Sequence, residues 1–258
     1  MSGKAPLAAG IGRSLRIYYG DAGRAPRMDA LYGRFVRPGA LAFDVGAHVG
    51  DRTACFRRLG ARVVAVEPQP VALRALRLIH GQDAGVTLVG AAVGIAEGLA
   101  ALRVNVANPT VSTLSDGFVA AAAGAEGWQG QRWDRVAEVP VTTLDALIAA
   151  HGLPAFVKID VEGMEDAALA GLSRPVPALS FEVTTIHRGA ALGALARVAA
   201  LGPYRFTLSL GEGFDLPREW VRAEAMAERI AALPATANSG DVYAVHEGAA
   251  LVPAGGAG

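Results

Sequence analysis

The chain has 258 residues, of which 52% are hydrophobic and 19% are charged. This length and composition suit one well-buried α/β domain with a small elaboration, and they argue against a disordered chain. Lysine and arginine together number 24, as do aspartate and glutamate, so the formal net charge is zero and no nucleic-acid partner is expected.

The sequence also gives expectations about location. No apolar run approaches the roughly 18 residues of a membrane span, and the first residues, MSGKAPLAAGIGRS, are too short and broken for a signal peptide. The single cysteine, Cys55, excludes an internal disulfide. We therefore expect a cytoplasmic protein with no membrane partner.

The first 40 residues lack a strong periodicity. They contain one predicted helix, MDALYGRFV, which Pro38 and Gly39 end before the first strand. We predict that residues 1–40 form a helical cap packed near the ligand-binding end of a sheet. Tyr18 and Tyr19 are interpreted as packing residues.

The stretch LAFDVGAHVGDRTACFRRLGARVVAVEP, residues 41–68, predicts a βαβ unit. Its first apolar run ends in Asp44, a small-residue turn carries Gly46 and Gly50, and a second apolar run closes on Glu67, 21 residues after Gly46. Such a unit receives a nucleotide-like ligand in its first turn and presents an acid to a ribose from its second strand.

The spacing of the two glycines indicates which ligand is bound. They are four residues apart and an acid precedes the first, whereas a dinucleotide fingerprint would read GxGxxG. The pattern favours S-adenosylmethionine, with Asp44 meeting its ammonium and Glu67 its ribose hydroxyls. His48, inside the turn, is predicted to contact the cofactor or its entrance. A nicotinamide cofactor is the alternative.

After this unit the chain continues with a helix, VALRALRLIHG, and a third strand with its turn, VTLVGAAVG, residues 86–94. An adenine ring is expected near Gly90 to Ala92, where backbone groups would hold its amine because no acid is present. LAALRVNV, residues 99–106, alternates and predicts an extra strand.

Residues 108–134 are the least regular part of the chain. They include two of the three tryptophans and several hydroxyl groups. A long irregular insertion in a compact α/β domain is often a lid or binding loop, and a surface excursion is the alternative. Trp133 is a candidate substrate contact.

The second half alternates strands and helices. Thr143 is predicted to cap a helix that begins at Leu144 and ends by Gly152 and Pro154. The remaining predicted strands are AFVKIDVEG (155–163), ALSFEVT (178–184), YRFTLSL (204–210) and GDVYAVH (240–246), and the predicted helices are MEDAALAGL, 189–201 and 217–233. Seven strands alternating with helices predict a doubly wound, mostly parallel sheet with helices on both faces. Residues 41–248 would form this domain, and 249–258 a flexible tail.

Ligands bind such sheets outside the carboxyl ends of the strands, where the strand order reverses. In the fourth strand, Lys158 and Asp160 share one face because side chains alternate. A lysine in an apolar strand requires a carboxylate partner, and Asp160 and Glu182 are both candidates. Both acids are also predicted catalytic residues, because carboxylates at buried strand ends are rare without a partner or a task.

Three further residues near these strand ends are candidates for the site. Glu162 and Glu165 precede a helix, where exposed N–H groups favour negative charge. Both are candidate substrate contacts, and stabilisation of the helix end is the alternative. His187 follows the fifth strand, and its ordinary pKa makes it a candidate base for a hydroxyl.

Two ways of activating a hydroxyl acceptor stay open at this point. Asp160 or His187 would act as the base. Alternatively, Asp160 and Glu182 would hold a divalent cation that lowers the pKa of the hydroxyl, since hard cations bind carboxylate oxygens. No metal ligand is assigned from the sequence.

The order DVGAHVGD, VVAVEPQP, VTTLDAL, FVKIDVEGMED, LSFEV and SGDVYAV, over residues 41–246, resembles the FkbM family of methyltransferases. The resemblance implies a Rossmann-like sheet of seven strands with an antiparallel last strand, and S-adenosylmethionine as methyl donor. It implies that Asp44, Gly46, Gly50 and Glu67 hold the cofactor and that residues 160–165 line the reaction site, with Asp160 also near the cofactor. His48 occupies a place where asparagine is common.

The sequence therefore predicts an O-methyltransferase that acts on a hydroxyl of a small metabolite or sugar. The alternatives are a nicotinamide-dependent oxidoreductase and a non-catalytic cofactor-binding protein. A small hydroxylated molecule is the expected partner, and a homo-oligomer is compatible with the sequence.

Overall fold

The computed structural model describes residues 4–249. Ten strands are present in this part of the chain: β1 Leu41–Val45, β2 Arg62–Val66, β3 Val86–Val89, β4 Ala92–Val93, β5 Gly98–Val104, β6 Arg135–Thr142, β7 Phe156–Ile159, β8 Ala178–Thr184, β9 Tyr204–Leu210 and β10 Ser239–His246. Nine α-helices accompany them: α1 Lys4–Tyr19, α2 Arg24–Tyr32, α3 Asp51–Arg58, α4 Pro70–His80, α5 Asp116–Ala123, α6 Leu144–His151, α7 Glu165–Ala170, α8 Arg188–Leu201 and α9 Ala223–Ala232. No helix among residues 4–249 is long and apolar enough to cross a membrane.

Seven of the strands form the central sheet, in the order β3-β2-β1-β7-β8-β10-β9. All pairs are parallel except those of β10, which runs antiparallel to both β8 and β9. The predicted fold is thus confirmed, including the antiparallel last strand. The strand order reverses between β1 and β7, and the carboxyl ends of these two strands face the place where such sheets bind ligands.

Helices cover both faces of this sheet because its strands are apolar on both sides. Phe43 and Val45 belong to one buried cluster, which includes residues of α6, α7, α8 and α9. Ala42 precedes Phe43 and faces the other side of the pleat, and it belongs to a second cluster with residues of α2, α3 and α4.

A second sheet of three strands, in the order β4-β6-β5, lies outside the central one. The predicted extra strand at 99–106 is confirmed as β5, which pairs antiparallel with β6. Residues 86–94 were predicted as the third strand and its turn: β3 ends at Val89, and the expected turn includes a short strand, β4, which pairs with β6. No strand was expected at 135–142, where exposed polar residues and a proline weaken the alternating pattern.

The region predicted as an N-terminal cap contains two helices. The expected helix over MDALYGRFV lies four residues earlier, as α2, and α1 was not expected. Ile11 of α1 packs against Val49 and against Ala72 and Ala75 of α4. Residues 1–3 and 250–258, the latter most of the predicted tail, lie outside the described residues.

Helix α6 begins and ends as its sequence predicts. Thr143 is its N-cap, and Oγ1 of Thr143 accepts a hydrogen bond from the N–H of Ala146 at 3.0 Å. Gly152 follows its last residue with a φ of +100°, a conformation that suits glycine.

Candidate functional site

A cleft opens at the carboxyl ends of β1, β2 and β7. It contains about 880 Å³ of space, including open solvent at its mouth. Its walls are formed by residues 44–48, 51–52, 66–69, 91–93, 109–110, 112–114 and 160–162, together with Tyr18, Leu102, Lys158 and Met164. The predicted cofactor residues in the glycine turn and after β2 therefore meet in one place.

The turn after β1 requires glycine at position 46. Gly46 has a φ of +82°, and a β-carbon there would lie 1.7 Å from the backbone carbonyl oxygen of Asp160. The N–H groups of Gly46 and Ala47 both donate to the carbonyl of Val66, at 2.9 and 3.0 Å. Gly46 thus lets β1, β2 and β7 approach each other at the base of the cleft.

Gly50 ends the same turn and is the N-cap of α3. Its φ is +84°, and a β-carbon would lie 2.5 Å from Leu76 and 2.7 Å from the ring of His80. Asp51 is the first residue of α3, so the helix begins directly beside the cleft.

Glu67 lies immediately after β2 and is only 5% exposed. Its Oε2 accepts a hydrogen bond from the N–H of His48 at 2.8 Å, and its Oε1 accepts one from the N–H of Gln69 at 2.7 Å. Burial raises the pKa of Glu67 to about 7, although both hydrogen bonds favour the charged form. The carboxylate is thus held rigidly in the wall of the cleft, where it can accept further bonds from hydroxyl groups.

Asp44 and His48 are the other polar groups of the turn. Asp44 is buried and accepts a hydrogen bond from the hydroxyl of Thr53 at 2.6 Å, and burial raises its pKa to about 6. Burial lowers the pKa of His48 to about 4, so its imidazole is neutral near pH 7. Nε2 of His48 is buried without a hydrogen-bond partner among the described residues.

Ala92 also lines the cleft, as does a residue that the sequence analysis did not identify, Gln69. The side-chain amide of Gln69 donates to the carbonyl of Pro109 at 3.1 Å and to Oγ of Ser112 at 2.8 Å. Its Oε1 is buried and has no partner within residues 4–249. The motif VVAVEPQP could have indicated Gln69, because this residue follows Glu67 by two positions and lines the same cleft.

The structure decides which acids partner Lys158. Nζ of Lys158 lies 2.8 Å from Oδ1 of Asp241 and 3.1 Å from Oδ2 of Asp160. Burial alone would lower the pKa of Lys158, but these two carboxylates raise it well above its usual value. The expected Asp160 contact is confirmed, whereas the alternative pair of Lys158 with Glu182 is wrong, because Asp241 on the neighbouring β10 takes that place.

Three more acids gather around Asp160. Glu162 and Glu165 are buried, and one oxygen each of Asp160, Glu162 and Glu182 lie within 4.8 Å of one another. Burial raises the pKa of Glu182 and of Glu162, and the neighbouring carboxylates raise both further. Glu165 differs from the other two because its oxygens accept N–H bonds from Val161 and Gly163, at 3.1 to 3.2 Å.

Five of the predicted site residues are not among those that line the cleft: Gly50, Glu165, Glu182, His187 and Trp133. The ring of His187 packs edge-on against Phe118 at 6.2 Å, and its Nδ1 has no hydrogen-bond partner in the described chain. Trp133 also packs against Phe118, and its indole N–H donates to the carbonyl of Val111 at 2.8 Å. Neither His187 nor Trp133 lines the cleft, although Trp133 bonds to the segment 109–114, which supplies part of its wall.

Helix α1 contributes Tyr18 to the mouth of the cleft. The ring of Tyr18 meets that of His48 edge-on, at 5.9 Å, and the guanidinium of Arg24 lies 5.0 Å from its centroid. Arg24 and Arg52 share the carboxylate of Glu212, each at 2.9 Å. Tyr18 was expected to pack and does so, but it also borders the site.

The sheet order, the antiparallel strand β10 and a cleft at the reversal of strand order define a class I methyltransferase fold. The sequence profile of the Methyltransferase FkbM domain matches residues 44–201, more than half of the chain. The chain therefore belongs to this family, as the motifs predicted, and is an S-adenosylmethionine-dependent methyltransferase. The family assignment favours this reading over the nicotinamide oxidoreductase.

Solved structures of methyltransferases have a similar overall fold. They include precorrin-6y C5,15-methyltransferase from Geobacter metallireducens GS-15, 14% identical, covering 86% of this chain and 87% of that one with a TM-score of 0.47. An O-methyltransferase from Bacillus cereus in complex with SAH is 12% identical, with coverages of 92% and 90% and a TM-score of 0.45. At these values the similarity assigns no substrate. A search of curated protein sequences found no significant match.

Proposed function

We propose that the protein transfers a methyl group to a hydroxyl of a small metabolite or sugar. One observation carries the proposal: Asp160 and Glu162, just after β7, line the same cleft as the glycine turn of a methyltransferase fold, and Glu182 of β8 lies beside them. Carboxylates beside a methyl donor are suited to a hydroxyl, which must lose a proton as it is methylated.

The residues of the cleft fit S-adenosylmethionine. We assign the ribose hydroxyls to Glu67 and the ammonium group to Asp44. The adenine would lie against Ala92, where the unpartnered Oε1 of Gln69 can accept a bond from its amine. Nε2 of His48 is a second unpartnered polar atom in the same wall, and it would contact the cofactor.

When bound, S-adenosylmethionine supplies an electrophilic methyl group on a sulfonium. The protein must then align the acceptor oxygen behind that methyl carbon and assist loss of the hydroxyl proton. As the acceptor oxygen bonds to the methyl carbon, the electron pair of the carbon–sulfur bond passes to sulfur, and the acceptor hydroxyl loses its proton. We assign this assistance to Asp160, whose side chain is 31% exposed and borders the cleft.

The other predicted site residues receive different roles. Glu182 and Glu162 extend the group of carboxylates around Asp160, whereas Glu165 holds the loop that carries Glu162. His187 stays a predicted catalytic residue, although it does not line the cleft. Trp133 stays a predicted substrate residue, and residues 108–134 a predicted lid.

Methyl transfer from radiolabelled S-adenosylmethionine to a panel of hydroxylated sugars and metabolites tests the proposal. Once an acceptor is identified, Asp160→Asn should lower turnover by about 10²-fold or more. The control Glu138→Gln, at an exposed position of β6, should leave turnover unchanged. Label on nitrogen or carbon would contradict O-methylation. Tight cofactor binding without transfer to any acceptor would indicate the non-catalytic alternative. A cytoplasmic location, a small-molecule partner and a homo-oligomer stay predictions.

A further inference from the structure

Three carboxylates converge where β7 and β8 end. One oxygen each of Asp160, Glu162 and Glu182 lie within 4.8 Å of one another. Two oxygens that bind one Ca²⁺ at about 2.4 Å are at most about 4.8 Å apart, and Mg²⁺ draws its ligands slightly closer. Three oxygens within this limit of one another can therefore bind a single divalent cation.

Two of these carboxylates lack the partners that a buried acid requires. Glu162 is 8% exposed, and its side chain accepts no hydrogen bond from any residue that the structure describes, although its backbone carbonyl is bonded by Thr113. Oε2 of Glu182 is buried and equally without a partner in residues 4–249. A buried carboxylate is costly unless a cation or a proton neutralises it.

Lys158 does not neutralise them, because its ammonium group is already engaged. It contacts Asp241 at 2.8 Å and Oδ2 of Asp160 at 3.1 Å. This leaves the second oxygen of Asp160 for another ligand, on a side chain that is partly exposed to the cleft. The negative charge of the three carboxylates therefore exceeds the positive charge that Lys158 supplies.

From these contacts we propose that Asp160, Glu162 and Glu182 bind one divalent cation, such as Mg²⁺, Mn²⁺ or Ca²⁺, at the acceptor side of the cleft. All three ligands are carboxylate oxygens, which are the ligands that these hard cations prefer. Glu165 is not a ligand, because backbone N–H groups occupy its oxygens.

The role of the cation rests on the proposed function. Bound to the acceptor hydroxyl, it lowers the pKa of that hydroxyl, so that the proton leaves to water at the mouth of the cleft. The acceptor oxygen then bonds to the methyl carbon as the electron pair of the carbon–sulfur bond passes to sulfur. Asp160 thus assists proton loss as a ligand of the cation, and no side-chain base is needed.

Binding of Mn²⁺ to the metal-free full chain tests the inference without any acceptor. Free Mn²⁺ is measured by electron paramagnetic resonance at about pH 8, and S-adenosylhomocysteine binding is measured on the same sample by calorimetry. We expect one Mn²⁺ per chain. Glu162→Gln and Glu182→Gln should each weaken its binding by about tenfold or more, whereas Glu138→Gln should leave it unchanged.

The two readouts separate this inference from the proposed function. A folded chain that binds S-adenosylhomocysteine but no Mn²⁺ up to about 1 mM would overturn the cation site and leave methyl transfer standing. Mn²⁺ binding that neither glutamine variant weakens would also overturn it. Mn²⁺ binding without cofactor binding would support the cation site and remove the proposed function.

Discussion

Replacing Glu67 by glutamine tests the assignment of the cofactor site most directly. Both oxygens of Glu67 accept backbone N–H bonds, from His48 at 2.8 Å and from Gln69 at 2.7 Å. In Glu67→Gln one oxygen becomes an NH₂ group, which must face one of these two donors. One buried N–H then loses its acceptor, at a cost of about 1–3 kcal/mol in the free energy of unfolding.

The effect on cofactor binding has a separate cause. A hydrogen bond from a ribose hydroxyl to a charged acceptor contributes about 1.5–3 kcal/mol, so we expect the Kd for S-adenosylhomocysteine to rise about ten- to a hundredfold. Calorimetry at about pH 8 keeps the wild-type carboxyl ionised, since its pKa is about 7. Thermal denaturation should show a melting temperature lower by roughly 2–12 °C.

The matched control is Glu138→Gln, the same chemical change at an exposed position of β6. It should bind S-adenosylhomocysteine as the wild type does. If the folded Glu67→Gln protein also binds with a Kd within about twofold of wild type, Glu67 does not hold the ribose, and the placement of the cofactor in this cleft is refuted.

Three further predictions follow from the same cleft. Because hydroxyl donors bind the ionised form of Glu67, S-adenosylhomocysteine affinity should rise about tenfold from about pH 6 to about pH 8 and then level off, as calorimetry would show; a flat profile would contradict the assignment. Gly46→Ala should lower the unfolding free energy by more than about 2 kcal/mol in urea titrations, because its β-carbon would lie 1.7 Å from a carbonyl oxygen, whereas Gly98→Ala, with open space, should not. Lys158→Met should cost about 3–5 kcal/mol in the same assay by leaving Asp241 buried and unpaired, and a loss below about 1 kcal/mol would show that the ion pair is not needed.

The fold could be predicted because its determinants are local. Apolar runs bounded by glycine and proline mark the strands of the central sheet, and the two glycines with their acid mark the first βαβ unit. The failures also have local causes. Strand β6 carries exposed polar residues and a proline, and helix α1 has the small-residue composition of a flexible segment.

That Gly46 and Glu67 line one cleft was predictable for the same reason, since they belong to one short unit. The partner of Lys158 was not. Asp241 follows Lys158 by 83 residues. Only the antiparallel pairing of β10 with β8 places Asp241 beside Glu182 and within reach of Lys158. The alternation of side chains along GDVYAVH indicates which face of the sheet Asp241 lies on, but it does not indicate which residue Asp241 contacts.

The sequence by itself determined the class of protein, the strands of the central sheet and the glycine turn after the first of them, because each depends on residues close together in the chain. Only the tertiary structure decided which acids at the ends of β7 and β8 contact Lys158, which accept backbone N–H bonds and which lie next to other acids. These contacts depend on distances of a few ångströms between separate strands and loops, which chain packing sets and sequence spacing does not.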